Sequence, residues 1–574
     1  MRYPTIPVRQ TSRDTTDQFR GYNHNLRIAT GEFYDMENLT SDDYPVLSPR
    51  RKRGIWRRPA SPQGLIAKEQ LCYVDGADFI IGEDRIELGL SVAAEDQPKR
   101  LVSMGAYVVI LPDKKYINTI DPEDRGDIEN SVSVTGAQLS LCMGNGDNYE
   151  GITVSDNAPD SPANGAMWMD TGSDPEQLKM WSASQDMWVG LATTYIKIAA
   201  EGIGKGFERF DGITISGAGE FDGANVVQAV GDNYIVITGI LTEARTIEGA
   251  VTIERKMPAL DMVIESGNRL WGCRYGTANN GEMVNEIYAS KLGDFKNWSC
   301  FQGLSTDSYT ASCGTDGPFT GAITHMGYPL FFKEACVHKV YGSYPAEYQI
   351  QDTACRGVQR GCQDSLAIVG EVLYYKARSG ICAFDGSLPV DVSRELGRVH
   401  YSRAVGGAHG SKYYVSMMDE DGGWVLFVYD TKQAMWHKED NFQAGGFASV
   451  GGKLFAIDRG SRNIISMLGG GEEEDKVPWM AQFGEIGITS PDAKYVSRIN
   501  MRLSLEPGSR LEVYAQYDMD KTWEKLCVIF GTDLRSISLP VRPRRCDHMK
   551  LKLIGEGMGK LYSMTKTIER GSLL

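Results

Sequence analysis

The feature that most constrains this fold is a short phrase that recurs between residues 258 and 470. In each copy, an apolar, aromatic-rich strand lies between two turns, and successive copies are roughly 40 to 60 residues apart. That spacing is the length of a four-stranded propeller blade, whose sheet cannot bury both faces alone. We therefore expect blades stacked around an axis, each aromatic strand facing its neighbour, in preference to a row of sandwiches. The copies are Asn268–Gly272, Tyr328–Phe332, Glu371–Tyr375, Lys412–Val415 and Gly452–Phe455.

Alternating apolar and polar residues elsewhere also indicate strands. Ile499–Leu505 and Leu511–Tyr517 alternate cleanly on either side of Pro507-Gly508, which predicts a hairpin. Tyr413–Met417 and Trp424–Tyr429 predict a second hairpin. Segments of helical period longer than two turns are scarce, so the fold class is all-β.

Changes in composition and strand pattern along the chain predict four regions. Residues 70–74, 76–81 and 106–111 resemble strands of a first blade, and the Gly-rich, acidic run Gly469–Lys476 reads as a flexible linker. The stretch after it, about 100 residues long, suits one β-sandwich. The regions are an N-terminal segment with the first part of a β-propeller (1–134), an inserted β-domain with a Trp-rich module (135–257), the remainder of the propeller (258–470) and a C-terminal β-sandwich (477–574).

Composition excludes several classes of protein. The 574 residues carry a net charge of −15, and an acidic chain repels phosphate, so sequence-independent nucleic-acid binding is disfavoured. The chain has no run of about 18 apolar residues, so no membrane span is expected, and the first 19 residues show no secretory signal. Eleven cysteines, without a CxxC pair, indicate reduced, mostly buried thiols in a protein made in a cytoplasm.

Motifs for catalysis or metal binding are weak. The seven histidines are dispersed and fit no hydrolase or metalloprotease pattern. Cys336 with His338, and Cys355 with Cys362, lack the paired spacing of a structural zinc site, so core thiols are favoured there. We therefore expect no enzyme activity, no catalytic residues, no metal and no cofactor.

Two basic clusters stand out in this acidic chain. They are open to three interpretations: a solvated loop, a salt-bridging surface for a neighbouring subunit, or a phosphate-contacting patch. Trp56 alone is thin support for phosphate binding, so subunit contacts are favoured over DNA affinity. The candidate interface residues are Arg50, Arg51, Lys52 and Arg53 in the first cluster and Arg544 and Arg545 in the second.

Three tryptophans lie close together among Asp, Ser and Gly within the inserted region. They predict a very small β-module with stacked aromatic rings. The same rings are candidates for stacking on sugar faces. They are Trp168, Trp181 and Trp188.

Six phrases of the sequence carry a resemblance to a known family. They are Gly31–Thr40, Asp43–Arg50, Asn268–Trp271, Asn285–Gly293, Gly357–Cys362 and Arg544–His548. They resemble tail proteins encoded by phages and prophages of Gram-positive bacteria, a family described as stabilisation proteins by analogy with the hub or nozzle proteins of short-tailed phages. Through Gly165–Thr171 and Leu178–Trp181, the Trp module also resembles small β-modules of phage tail and fibre proteins.

The resemblance implies a structural component of the virion tail, assembled in the host cytoplasm. Nozzle proteins are propeller-based and assemble, usually as homohexamers, into a tube below the portal and adaptor rings, with tail-fibre or tail-tip proteins as further partners. The tube retains packaged double-stranded DNA and passes it at ejection. A negative net charge suits that role, since an acidic lumen repels the DNA backbone and lets the duplex slide.

Two alternative functions remain. The first is a receptor-binding or fibre-anchoring tail protein, in which the Trp module recognises a cell-surface glycan. The second is a propeller glycosidase, which needs a pair of carboxylates about 5–9 Å apart in the propeller mouth.

Overall fold

The computed structural model describes residues 11–92, 98–278, 280–488, 494–518, 520–542 and 544–570. Residues 1–10 of the predicted N-terminal segment lie outside it. The described chain is all-β, as predicted, with 3-10 turns at Gly219–Phe221, Pro345–Glu347, Gln363–Ser365 and Arg394–Leu396. None of the described helices is long and apolar enough to cross a membrane.

The N-terminal residues form an extended strap, residues 11–57, that pairs with distant parts of the chain. Because these strands are short, their order depends on partners supplied by the rest of the protein. They are β1 (Thr11–Thr16), β2 (Gly21–Tyr22), β3 (Glu32–Glu37), β4 (Leu39–Thr40), β5 (Ser48–Pro49) and β6 (Gly54–Arg57).

Two four-stranded antiparallel sheets follow, which are blades 1 and 2. The predicted strands at 70–81 lie in blade 1 and those at 106–111 in blade 2, so this region holds two blades where we expected parts of one. Blade 1 comprises β7 (Pro62–Ala67), β8 (Leu71–Asp75), β9 (Asp78–Ile81) and β10 (Asp84–Glu87); blade 2 comprises β11 (Arg100–Met104), β12 (Tyr107–Leu111), β13 (Lys115–Asn118) and β14 (Arg125–Asp127).

An inserted domain interrupts the propeller after blade 2. Seven of its strands form one sheet around a core of Ile, Val and Leu, and the other four form a separate small sheet, the Trp module. The barrel-like sheet contains β15 (Asn130–Cys142), β20 (Tyr195–Ala199), β21 (Gly212–Ser216), β22 (Gly223–Val226), β23 (Ala229–Gly231), β24 (Tyr234–Thr238) and β25 (Arg245–Arg255); the module contains β16 (Ile152–Ser155), β17 (Met167–Asp170), β18 (Gln177–Ser182) and β19 (Met187–Gly190).

Blades 3 to 7 occupy residues 262–473. Blade 3 comprises β26 (Met262–Ser266), β27 (Arg269–Thr277), β28 (Met283–Ala289) and β29 (Tyr309–Ser312); blade 4 comprises β30 (Gly321–His325), β31 (Tyr328–Lys333), β32 (Cys336–Tyr341) and β33 (Gln349–Ala354). Blade 5 comprises β34 (Ala367–Val369), β35 (Val372–Ala377), β36 (Gly380–Phe384) and β37 (Val390–Asp391); blade 6 comprises β38 (Tyr401–His409), β39 (Lys412–Asp419), β40 (Trp424–Asp430) and β41 (Met435–Lys438). Blade 7 comprises β42 (Ala444–Val450), β43 (Lys453–Asp458), β44 (Ile464–Ser466), the strap strand β6 and β45 (Glu472–Glu473).

The seven sheets of the described chain close into a ring. The first strands of neighbouring blades contact each other, and β42 of blade 7 contacts β7 of blade 1. Between blades 4 and 5 the contact runs from β30 to the 3-10 turn Gln363–Ser365, which leads into β34. Because β6 supplies the fourth strand of blade 7, the strap fastens the two ends of the ring together.

The recurrent aromatic phrases are confirmed as the second strands of blades 3 to 7, and they face neighbouring blades. Ring centroids lie 5.2 Å apart for Phe332 and Tyr375, which join blades 4 and 5. Tyr374 stacks on Tyr413 at 5.4 Å across the next boundary. Each such pair contributes about 0.5–1.5 kcal/mol of stability in addition to the contribution of the apolar area it buries. The aromatic residues of the repeated phrase therefore stabilise the contacts between blades.

The C-terminal sandwich is built on a single strand of 24 residues. Its strands are β46 (Pro478–Phe483), β47 (Lys494–Tyr517), β48 (Glu524–Ser538), β49 (Arg545–Cys546), β50 (Met549–Glu556) and β51 (Gly559–Arg570). The first half of β47 pairs with β51 and the second half with β50, while β48 follows both halves. The bent pair β47–β48 thereby contributes to both layers.

The predicted hairpin at 499–517 is wrong, whereas the hairpin of β39 and β40 is confirmed. Pro507-Gly508 is an irregularity inside β47, where the pairing with β48 shifts register between Leu505 and Arg510. Odd-numbered residues on both sides of it point into one core. Since the alternation keeps its phase across Pro507-Gly508, a continuous strand was already compatible with the pattern.

One continuous sheet joins propeller and sandwich. Strand β2 pairs with β41 at the outer edge of blade 6, β3 pairs with β2 and with β46, and β46 pairs with β50. The predicted linker is structured too: Glu472 and Glu473 form β45 against β6. The sandwich is therefore fused to the propeller through the strap.

Candidate functional site

The innermost strands of the propeller are poor in ionisable groups. On the first strands of the seven blades in the described chain, Glu265 is the single carboxylate. It accepts a hydrogen bond from the Asn268 backbone N–H at 2.9 Å and so closes the β26–β27 turn. A glycosidase of the usual mechanism needs a second carboxylate about 5–9 Å away, and these strands do not provide it.

Two arginines of the first basic cluster lie inside a buried ionic network. The Arg50 guanidinium donates to Asn38 Oδ1 at 2.7 Å and to Glu474 Oε1 at 2.5 Å. The Arg53 guanidinium donates to Glu439 Oε2 at 2.5 Å and to Asp440 Oδ2 at 2.8 Å. Burial alone would lower the pKa of Arg53, but the two carboxylates raise it, so the guanidinium stays charged.

The prediction of a subunit-interface patch is therefore wrong for Arg50 and Arg53, whose charges are used within the chain. Arg51 is exposed and lies 3.8 Å from Asp42, while Lys52 is half-buried. The second cluster remains on the surface, where Arg544 lies 3.4 Å from Asp520 and Arg545 is exposed. An interface role stays a prediction for these four residues.

The Trp module forms a small separate sheet, as expected, but its rings pack edge-to-face instead of stacking, and one of them is buried. Trp168 is only 6% exposed, and its indole N–H donates to the Ser155 carbonyl oxygen at 3.0 Å. Trp188 packs edge-to-face against both Trp168 and Trp181, with centroids 5.4 Å apart in each pair. Trp168 therefore cannot stack on a sugar, while Trp181 and Trp188 remain half-buried candidates.

His338 occupies a polar cluster where blade 3 leads into blade 4. Its Nδ1 lies 2.8 Å from Asp352 Oδ1 and its Nε2 lies 2.8 Å from Thr315 Oγ1 and 3.8 Å from Cys336 Sγ. Burial lowers the pKa of His338, which favours the neutral ring, with Nδ1–H donating to Asp352 and Nε2 accepting. The Thr315 carbonyl oxygen also accepts from Lys333 Nζ at 2.7 Å, so the cluster fastens the connecting loop to blade 4.

The cysteines behave as packed thiols. All eleven are free thiols. Burial raises the pKa of Cys355 and of Cys362 to about 11, which disfavours the thiolate form that metals bind. Within the described ranges, no group of three or more His, Cys, Asp or Glu side chains is placed to hold a metal ion.

Sequence reasoning missed a cleft of about 610 Å³ between blades 6 and 7. Three loops line it: the β39–β40 turn, the connection from β41 to β42 and the β43–β44 turn. No single stretch of sequence signals it, because its residues come from separate turns of two blades. Trp424, the first residue of β40, is its one clue in the sequence, as a large aromatic residue next to a turn.

Comparisons with known proteins identify no family. No family model and no curated protein matches the chain. Among solved structures, an exo-β-1,3-galactanase from Phanerochaete chrysosporium is similar at 9% identity and a TM-score of 0.22, covering 53% of this chain and 94% of its own. PorZ of the Porphyromonas gingivalis type-IX secretion system covers 91% of this chain and 82% of its own, at 11% identity and a TM-score of 0.25. Trypanosoma rangeli sialidase covers 97% and 96%, at 7% identity and a TM-score of 0.23. Likenesses this distant carry no argument about function, and the resemblance to phage tail proteins stays a prediction.

Proposed function

We propose that this chain is a structural subunit of a virus tail, a ring-forming hub or nozzle that lines the DNA conduit, retains the packaged genome and passes it at ejection. It is assembled in the host cytoplasm and bound to further copies of itself, to portal or adaptor proteins and to tail-fibre or tail-tip proteins. The proposal starts from the sequence phrases that resemble tail stabilisation proteins.

The observation that carries the architectural role is the continuous sheet between propeller and sandwich. Hydrogen-bonded strands run from β38 in blade 6 through β2 and β3 of the strap into β46 and β47. One apolar core spans blades 4 to 6 and the sandwich. A body joined by both a sheet and a core resists relative motion of its parts, as the wall of a pressurised conduit requires.

The distribution of charge supports the conduit. Residues 130–257 contain 17 acidic and 7 basic residues, a net charge of −10. Fourteen of those 17 acidic residues are exposed. A surface of this kind repels the DNA backbone instead of exchanging counterions with it, so the inserted domain is suited to face the lumen.

The sandwich suits contact with a neighbouring copy. Residues 477–574 carry 15 basic and 11 acidic residues, whereas residues 1–476 carry a net charge of −19, so the two surfaces attract. On the outer face of the sandwich, Phe530 is 67% exposed, Val528 and Ile554 lie on either side of Glu512, and β48 is an edge strand. Exposed apolar side chains on an unpaired edge strand suit a contact with a further copy of the chain.

The test is the mass and shape of the purified full-length protein, by native mass spectrometry and negative-stain microscopy. We expect closed rings, and we expect Phe530→Asp to shift them towards monomers. Leu388→Asp is the control, since Leu388 is 59% exposed on blade 5. A protein that stays monomeric, alone and on virions, would contradict the proposal, and equal loss of rings in both variants would remove Phe530 from the interface.

A further inference from the structure

The cleft between blades 6 and 7 has the chemistry of a carbohydrate site. Its wall includes the half-buried Trp424, which makes no ring-to-ring contact with another described aromatic side chain. A partly exposed indole offers a flat apolar surface to the C–H face of a sugar ring, while its N–H can donate to a hydroxyl group.

Unpaired polar groups line the same cleft. The side-chain amides of Asn441 and Gln443 and the indole N–H of Trp424 line the cleft, and none of them hydrogen-bonds within the described part of the chain. An amide both donates and accepts, which matches sugar hydroxyls, since each hydroxyl also does both.

Two carboxylates of the cleft are held rigidly. Asp440 is bound by the Arg53 guanidinium and accepts from the Phe442 N–H at 3.2 Å. Asp458 accepts from the Gly460 N–H at 3.0 Å and from the Ser461 hydroxyl at 2.6 Å. Fixed acceptors of this kind bind hydroxyl groups with little loss of side-chain freedom, and their charge disfavours anionic ligands.

The floor of the cleft is also pre-organised. Phe442 is buried and lies beneath the Arg53 guanidinium, whose carbon is 5.0 Å from the ring centroid. The buried ionic network that closes the propeller thus supports one wall of this open cleft, whose volume of about 610 Å³ has room for a small molecule.

We propose that this cleft binds a neutral saccharide, with Trp424 as the stacking platform and Asn441, Gln443, Asp440 and Asp458 as hydroxyl partners. This site is distinct from the Trp module of the inserted domain and does not rest on ring formation. It would let an architectural subunit also touch a glycan surface.

The experiment screens the full-length protein against an array of neutral oligosaccharides and measures each hit by calorimetry. We expect Trp424→Ala to weaken binding at least 10-fold, Trp424→Phe to retain part of it, and the double variant Asn441→Ala/Gln443→Ala to weaken it about 5-fold. Trp523→Ala, which removes a half-buried tryptophan of the sandwich, is the matched control and should bind like the wild type. Trp181→Ala, in the Trp module, distinguishes between the two candidate glycan sites.

Three results would overturn the proposal. In the first, the protein binds no neutral saccharide at millimolar concentration. In the second, Trp424→Ala binds as tightly as the wild type. In the third, Trp181→Ala loses binding whereas Trp424→Ala retains it. The last result would return the glycan site to the inserted domain. Far-ultraviolet circular dichroism and the particle mass of each variant distinguish loss of binding from loss of folding. The double variant Asn441→Ala/Gln443→Ala tests the site without a change in the β39–β40 hairpin that carries Trp424.

Discussion

The inserted domain and the C-terminal sandwich are attached to the propeller in opposite ways. The inserted domain has its own core and enters and leaves through β15 and β25, whose ends Asn130 and Arg255 lie directly opposite each other. The sandwich shares both its sheet and its core with the propeller. The first is an appendage, whereas the second is part of the body.

A small group of buried polar side chains connects the inserted domain to the propeller. Arg255 pairs with Asp211 at 2.5 Å, both side chains are 5% exposed, and Asn297 of blade 3 donates to Asp211 at 2.8 Å. Further contacts lie beside this group: Lys291 Nζ donates to the Phe210 carbonyl oxygen at 3.0 Å, and Lys296 lies 3.5 Å from Glu208. A domain joined along one short seam can change the rest of its surface without disturbing the propeller. This arrangement allows the acidic charge to be concentrated there.

The strongest test of the comparison removes each region. Replacing residues 130–255 by Gly-Gly-Ser should leave a soluble, cooperatively unfolding protein, because the two ends of the excised segment are adjacent and Asn297 keeps Asp294 at 2.6 Å. Ending the chain after residue 476 should give an aggregating product, since it exposes the strap residues Phe33 and Met36. The solubility and the calorimetric melting transition are measured for both deletion variants. Similar behaviour of the two variants would contradict the difference between appendage and body.

The next largest effect concerns the ionic network that holds the strap. Arg53→Ala should lower the free energy of unfolding by about 3–5 kcal/mol, because Glu439 and Asp440 lose a buried partner. Arg51→Ala is the matched control, with a side chain that is 66% exposed, and should cost under about 0.5 kcal/mol.

Guanidinium unfolding of the two variants measures the difference. Similar losses in both variants would mean that the network contributes little, and the strap would then be held by its strands alone.

A smaller, pH-dependent effect is expected at the seam between strap and blade 6. Burial lowers the pKa of His437 to about 3, so the folded protein keeps this ring neutral while the unfolded chain binds a proton below about pH 6.5. Stability is therefore complete above that pH and falls as the pH decreases, by about 2 kcal/mol between pH 7 and pH 5. The free energy of unfolding measured across this range should fall less steeply in His437→Gln.

The exposed His400 provides the control for that experiment. His400→Gln should keep the wild-type dependence on pH. An unchanged slope in His437→Gln would show that the ring is not kept neutral at the seam.

The smallest global effect is expected from the Trp module. Trp168→Ala should destabilise the module by about 3–5 kcal/mol, yet leave the melting of the propeller unchanged, because the module's sheet has no strand in common with the rest of the described chain. Hydrogen exchange should rise only between residues 152 and 190. Spread of the exchange into blades 2 or 3 would mean that the appendage is coupled to the ring.

The sequence allowed the blades to be predicted because their signal is local. Each second strand carries its own aromatic residues and turn, as at Tyr328–Phe332, and needs no knowledge of distant residues. The single strand β47 was missed because Pro507-Gly508 outweighed the unbroken alternation of Ile499 to Tyr517.

The candidate sites depended on distant partners and were less predictable. Arg53 pairs with Glu439 and Asp440, which are almost 390 residues away in the sequence. Its charge was therefore interpreted as part of a surface patch, because the closure of the propeller that brings these residues together has no local signal. Trp168 was correctly placed in a module, but which ring of three is buried depends on packing. The Trp424 cleft unites three turns of two blades and has no linear signature.

The most direct measurement is a cryo-electron microscopy map of the purified full-length protein, compared with one of the variant lacking residues 130–255. We expect closed rings in which the acidic inserted domain lines the lumen, so that its removal widens the channel and leaves the outer wall intact. Rings whose lumen is lined mainly by Lys and Arg would contradict the acidic conduit, and particles that never close into rings would contradict the architectural role itself.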